Sequence, residues 1–250
     1  MQKNKYSLTR TIFKIFVFAF VCLSFKVYSQ KDTNKTSEDG INIFADIVSS
    51  YMWRGLCFDL SPNIQPTFSY TKGNLEFGFW GSANILGTYR ETDLYASYSL
   101  KNITLVVYDY FSSNKSYFLY DNKTTSHIFE VYAVYEPKKA PLKITAGTLV
   151  YGDDKKMKIN SISTDTTYIN QYSAYAELAY FFSCKNITLE LSIGGTPIKG
   201  YYAKKAGITN ISLSGERNFN IDSNHKIPVK ISVITNIQKK NIFMVLGVKI

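Results

Sequence analysis

The chain is poor in the residues that most enzymes depend on. Among its 250 residues there are two histidines and three cysteines, and no G-x-S-x-G, H-E-x-x-H, phosphate-loop or dinucleotide pattern occurs. His127 opens one candidate strand and His225 sits in a turn at the opposite end, so the two cannot share a site. An outer-wall lipid hydrolase built on His127 would need a nucleophile within hydrogen-bond reach, and Ser126 lies on the other parity. Cys57 and Cys184 are far apart and have no metal-ligand spacing, which excludes a disulfide framework. The expectation is a protein that is not an enzyme and uses no cofactor or metal. Asp153-Asp154, followed by lysines, reads as a solvated loop rather than a calcium site.

A membrane-spanning helix is also missing, because none of the apolar runs reaches the roughly 20 residues needed. The longest, Ile12 to Phe25, is broken by Lys14, follows Lys3, Lys5 and Arg10, and precedes Val27-Tyr28-Ser29. That order marks residues 1–29 as a cleaved secretory signal peptide. Its removal takes five basic residues and no acids, so the formal charge falls from +10 to +5. The remaining lysines cluster in loops rather than on one ordered face with stacking aromatics, which argues against nucleic acid and fits loops facing anionic lipopolysaccharide. Residues 30–40 are polar and read as a flexible periplasmic leader.

What is present is period-two alternation, with no stretch of helical period. From residue 41 onward about twelve strands follow one another: 41–54, 64–71, 75–85, 91–100, 103–111, 127–136, 142–151, 171–183, 187–196, 208–217, 227–235 and 242–250. Most are near the 9 to 11 residues that a tilted strand needs to cross a bilayer. The two longest connections, 112–126 and 152–170, both follow odd-numbered strands, whereas the tight turns follow even-numbered ones. One-sided loops of this kind predict a single transmembrane antiparallel β-barrel over residues 41–250, with both termini periplasmic. Strand 187–196 sets Ile187, Leu189, Leu191 and Ile193 outward and Thr188, Glu190 and Ser192 inward. Aromatic residues near strand ends, including Tyr51, Trp53, Tyr70, Tyr108, Tyr110 and Tyr135, are expected in the interfacial girdles.

The most specific local signal is S-S-Y-M-W-R-G at Ser49 to Gly55, followed by G-F-W-G-S at Gly78 to Ser82 and E-T-D-L-Y at Glu91 to Tyr95. This run resembles the TorF-like outer-membrane porins, whose motifs include an aromatic-Arg-Gly after the first strand and a later E-x-D-x-Y. The resemblance implies an outer-membrane barrel with a porin function. Parity places Arg54 inward, where it can pair with a carboxylate in the upper lumen, while Trp53 reads as a girdle residue and Gly55 as the release into a loop.

The residues expected to line the pore are Asp46, Arg54, Glu76, Asp93, Glu130, Lys143, Glu177, Glu190 and Lys230. Their balance is acidic, so the channel is expected to pass small solutes or ions passively with a modest cation preference. The expected partners are outer-membrane lipid, lipopolysaccharide and the barrel-assembly machinery, with no nucleic acid. A non-conducting surface barrel whose Lys-rich loops bind a partner or lipopolysaccharide is the second reading, and the lipid hydrolase is the third.

Overall fold

The computed structural model describes residues 39–159, 166–222 and 225–250. The expected signal peptide and nearly all of the leader lie outside this range. The strands are β1 (Gly40–Val48), β2 (Tyr51–Trp53), β3 (Leu56–Asp59), β4 (Asn63–Lys72), β5 (Leu75–Asn84), β6 (Arg90–Leu100), β7 (Ile103–Phe111) and β8 (His127–Tyr135). They continue as β9 (Leu142–Gly152), β10 (Lys155–Ile159), β11 (Thr166–Asn170), β12 (Ala174–Cys184), β13 (Ile187–Thr196), β14 (Gly207–Asn220), β15 (Lys226–Asn236) and β16 (Asn241–Lys249).

Twelve of these close into one antiparallel barrel in the order β1-β16-β15-β14-β13-β12-β9-β8-β7-β6-β5-β4. Sequence neighbours pair throughout, and β1 meets β16 to seal the wall. Closure removes the sheet edges that an open sheet would leave exposed. The other four strands form two hairpins, β2–β3 and β10–β11, outside the main sheet.

Alternation decides the two faces. Along β4, Asn63, Gln65, Thr67, Ser69 and Thr71 are buried, and the residues between them are exposed. Leu191, Leu213 and Val233 form an exposed apolar row across three paired strands. On the inner side Ser192 bonds Ser212 at 2.7 Å, and Ser214 bonds Ser232 at 2.8 Å. The barrel is therefore apolar outside and polar within, the reverse of a water-soluble globule.

At one end the connections are 73–74, 101–102, 136–141, 185–186 and 221–225. The other end carries 85–89, 197–206, 237–240 and the long segments 49–62, 112–126 and 153–173. The expected asymmetry is there, with two corrections. The segment 152–170 is largely the hairpin β10–β11, and Asp154 within it is buried rather than solvated. The Asp154 carboxylate accepts from the Ser173 backbone N–H and hydroxyl, both at 2.7 Å.

The larger correction concerns the first strand. It ends at Val48 and not at Arg54, and the chain then leaves the wall as β2–β3. Four residues assigned to the girdles lie inside the barrel instead. Tyr108 stacks between Tyr95 and Tyr110, with ring centroids 5.3 and 4.6 Å away, and Trp53 meets Tyr110 at 5.3 Å. Tyr51 is buried against Phe58 and Trp80. Tyr70 and Tyr135 do face outward.

Candidate functional site

The site is the lumen and the hairpin that crosses it. β2 and β3 follow β1 and precede β4 as a separate two-stranded sheet, with a register shift between Tyr51 and Met52 where the pair bends inward. Asp59 fixes the base, accepting from the Ser61 N–H at 2.9 Å, Asn63 Nδ2 at 3.3 Å and Asn84 Nδ2 at 2.5 Å. The tip is Arg54-Gly55, with φ of 52° and 77°. Two successive left-handed residues are the requirement of a tight two-residue hairpin turn, and Arg is a strained occupant of the first place.

Three sets of contacts hold the tip. Arg54 donates to Glu130 on β8 through both terminal nitrogens, at 2.6 and 3.0 Å, and to the Tyr202 hydroxyl at 2.5 Å. Its guanidinium lies 4.3 Å from the Trp53 ring centroid and 4.7 Å from that of Tyr175. Tyr110 donates to the second Glu130 oxygen at 2.8 Å, and Asn236 donates to the Gly55 carbonyl at 3.0 Å. Because β8 stands almost opposite the β1–β4 base in the barrel order, the hairpin spans the lumen.

Glu130 is fully buried and Arg54 nearly so, so each charge depends on the other in a place water reaches poorly. Burial pushes the Tyr202 phenol above its ordinary value, with Arg54 pulling it down and Glu130 pushing it up, so it stays protonated and donates to Glu130 at 3.5 Å. Gly55 is there for space as well as for its φ. A Cβ at this position would stand 1.9 Å from the Thr209 carbonyl oxygen. Gly55→Ala is therefore expected to unseat the tip. In a Trp80→Phe background, where Trp53 is the remaining tryptophan, its emission should move to the red.

The hairpin divides the interior. On one side lies a cavity of about 530 Å³, lined by Asp46, Arg54, Glu177, Glu190 and Lys230 among the expected pore residues, together with Glu216 and Lys249. Glu76, Asp93, Glu130 and Lys143 point inward but are engaged elsewhere. Glu76 accepts from the Tyr95 hydroxyl at 2.6 Å, Asp93 from the Phe111 N–H at 3.0 Å, and Lys143 lies 5.4 Å from the Phe181 ring centroid. Lys230 reaches Glu190 at 3.5 Å, and Lys249 reaches Asp46 at 3.9 Å. Glu177 has neutral partners, the Tyr175 hydroxyl at 2.6 Å and Asn210 Nδ2 at 2.7 Å.

On the other side of the hairpin a cavity of about 970 Å³ opens among β3 and the loops 197–206 and 237–240. Sequence reasoning missed this chamber and the luminal aromatic stack. The signal for the stack was the shared inward parity of Tyr108, Tyr110 and Val106, in a strand where both faces carry apolar residues.

His127 is buried on the outer wall of β8 beneath the loop 112–126. Its Nδ1 lies 2.7 Å from Asp109 Oδ1 and its Nε2 lies 2.5 Å from the Tyr117 carbonyl oxygen. Tyr120 stacks on the ring at 4.2 Å.

No family model matches this chain, and no curated protein does. One solved structure, from work on the mechanism behind in-meso crystallization of membrane proteins, is similar over 84% of this chain and 82% of that one. The two share 10% identity, with a TM-score of 0.42.

Proposed function

We propose that this chain is an outer-membrane barrel, a TorF-like porin that passes small ions or solutes by a narrow route past the β2–β3 hairpin. The observation that carries the reading is a polar, charged chamber inside a closed wall whose outer face is apolar. An apolar exterior is costly in water and favourable in a bilayer, where a closed barrel leaves no unpaired edge except where the seam is broken. In this orientation the tight turns, the start of β1 and the end of β16 face the periplasm, and the long connections face outward.

The chamber supports a modest cation preference. Two of its carboxylates, Asp46 and Glu190, are offset by lysines, while Glu177 is held by neutral donors. In a planar bilayer under a salt gradient, the reversal potential is expected to report faster cation movement. Glu177→Gln with Glu190→Gln should move it toward zero. Anion preference in the unmodified channel would overturn the lumen assignment.

A second reading is favoured by the hairpin itself, since a segment bridging the lumen also suits a non-conducting surface barrel. Conductance separates the two: a wild-type barrel that inserts and passes no current belongs to the second. No catalytic step is part of either reading, because both ring nitrogens of His127 are already committed. Lipid hydrolysis that is lost in His127→Ala would replace both with the hydrolase.

A further inference from the structure

The larger cavity, on the loop side of the hairpin, has a composition unlike the lumen. Lys204 and Lys205 enter it from one loop, Lys239 and Lys240 from another, and no acidic residue lines it. Its floor is apolar, formed in part by Leu56 and Phe58 of β3. None of the four lysines forms an ion pair among the described residues. At about 970 Å³ it falls in the size range of ligand pockets, roughly 300 to 1,000 Å³.

The wall beside it is unfinished. Ser49 N–H donates to the Leu246 carbonyl at 2.8 Å, and there β1 turns inward. From Val245 back to Asn241, β16 pairs with β15 alone among the described residues. The alternation that turns the backbone groups of Leu246 and Ile250 toward β1 turns those of Met244 and Ile242 toward the same edge, which has no paired strand there among the described residues. Their side chains are 75% and 71% exposed. Unpaired backbone groups are costly in hydrocarbon, so this edge calls for polar oxygen acceptors next to an apolar surface.

We infer that this recess binds a lipid-like anion from the outer leaflet, its phosphate-bearing head held by Lys204, Lys205, Lys239 and Lys240 and its chain leaving over the open edge of β16. The inference rests on the membrane reading above. Head and chain each have a counterpart: four cations for the charge, and the apolar floor with the exposed side chains of Ile242 and Met244 for the acyl chain. The head also brings oxygens that can accept from the backbone N–H groups of Met244 and Ile242, which have no β1 partner among the described residues.

Trp53 supplies the reporter, since its ring lies 6.4 Å from Tyr201 and 5.6 Å from Tyr202, both of which line the recess. The Trp80→Phe barrel in neutral detergent micelles is titrated with lysophosphatidate, with lysophosphatidylcholine of the same chain, and with inorganic phosphate. Lysophosphatidate is expected to change Trp53 emission saturably at a mole fraction at least about tenfold below that of the choline lipid. Lys204→Gln, Lys205→Gln, Lys239→Gln and Lys240→Gln together should erase the difference, and inorganic phosphate should have no effect. Equal responses to both lipids, a preference that survives the four changes, or saturation by inorganic phosphate alone would overturn the site. Heat-dependent gel mobility of each sample keeps the two readings apart. A sample that keeps its mobility shift without lipid preference sinks the site, whereas one that shows no mobility shift sinks the barrel.

Discussion

Arg54→Ala is expected to raise single-channel conductance several-fold. The guanidinium is the main tie between the hairpin tip and the far wall, joining Glu130 on β8 and Tyr202 at once. Removing it leaves Glu130 as a buried carboxylate without its cation, a situation that costs about 3 to 5 kcal/mol. The wall itself uses backbone ladders in which Arg54 takes no part. The loss therefore falls on the hairpin, which relieves it by swinging out and letting water reach Glu130. The left-handed φ of Arg54 adds strain of about 1 to 3 kcal/mol that is tolerated only while the tip is held.

Glu130→Gln should act in the same direction, since a neutral amide holds the guanidinium more weakly than a carboxylate. Release of the hairpin is a single event, so Arg54→Ala with Glu130→Gln should conduct like either single change rather than like their product. Conductance unaltered in all three variants, with heat-dependent gel mobility intact, would mean that the hairpin is not what narrows the path.

Leu191→Arg should largely abolish insertion of the folded barrel into the membrane, while Glu190→Arg should leave assembly close to normal. The two positions are adjacent on β13 and differ in the side they face. Leu191 lies in the exposed row with Leu213 and Val233, where a guanidinium would stand in lipid at a cost of about 2 to 4 kcal/mol. Glu190 lines the 530 Å³ chamber, which has room and polar neighbours for the longer side chain. The yield of heat-modifiable protein in the membrane fraction measures the difference. Equal yields would mean that the outer face does not meet hydrocarbon.

The wall and its facing were open to a reader of the sequence, because both are local properties. Side chains alternate at every residue, so a few residues of β13 suffice to show which set meets solvent or lipid and which meets the lumen. The same holds for the side on which the long connections lie, which follows from their spacing alone. Trp53-Arg54-Gly55 stood out in the sequence, but the parity that placed Arg54 inward assumed a wall strand running to residue 54, whereas β1 ends at Val48 and a register shift follows at Tyr51 and Met52. The course of the chain around it was not legible. Alternation runs on through Ser49 to Trp53 whether the strand continues up the wall or bends into the lumen, so the period carries no information about the bend.

Only the tertiary structure decided that the hairpin crosses the barrel. Its tip is held by partners far along the chain: Glu130, 76 residues from Arg54; Thr209, whose hydroxyl reaches the Arg54 carbonyl across 155 residues; and Asn236, 181 residues from Gly55. The same is true of the inward stacking of Tyr108 and Tyr110 and of the four lysines brought together from two loops. The sequence by itself determined a closed wall with an apolar outside, a polar inside and loops gathered at one end, because those follow from the period of a strand and the length of its connections. Barrel closure determined what occupies the lumen, because it alone sets distant strands across from one another at hydrogen-bonding distance.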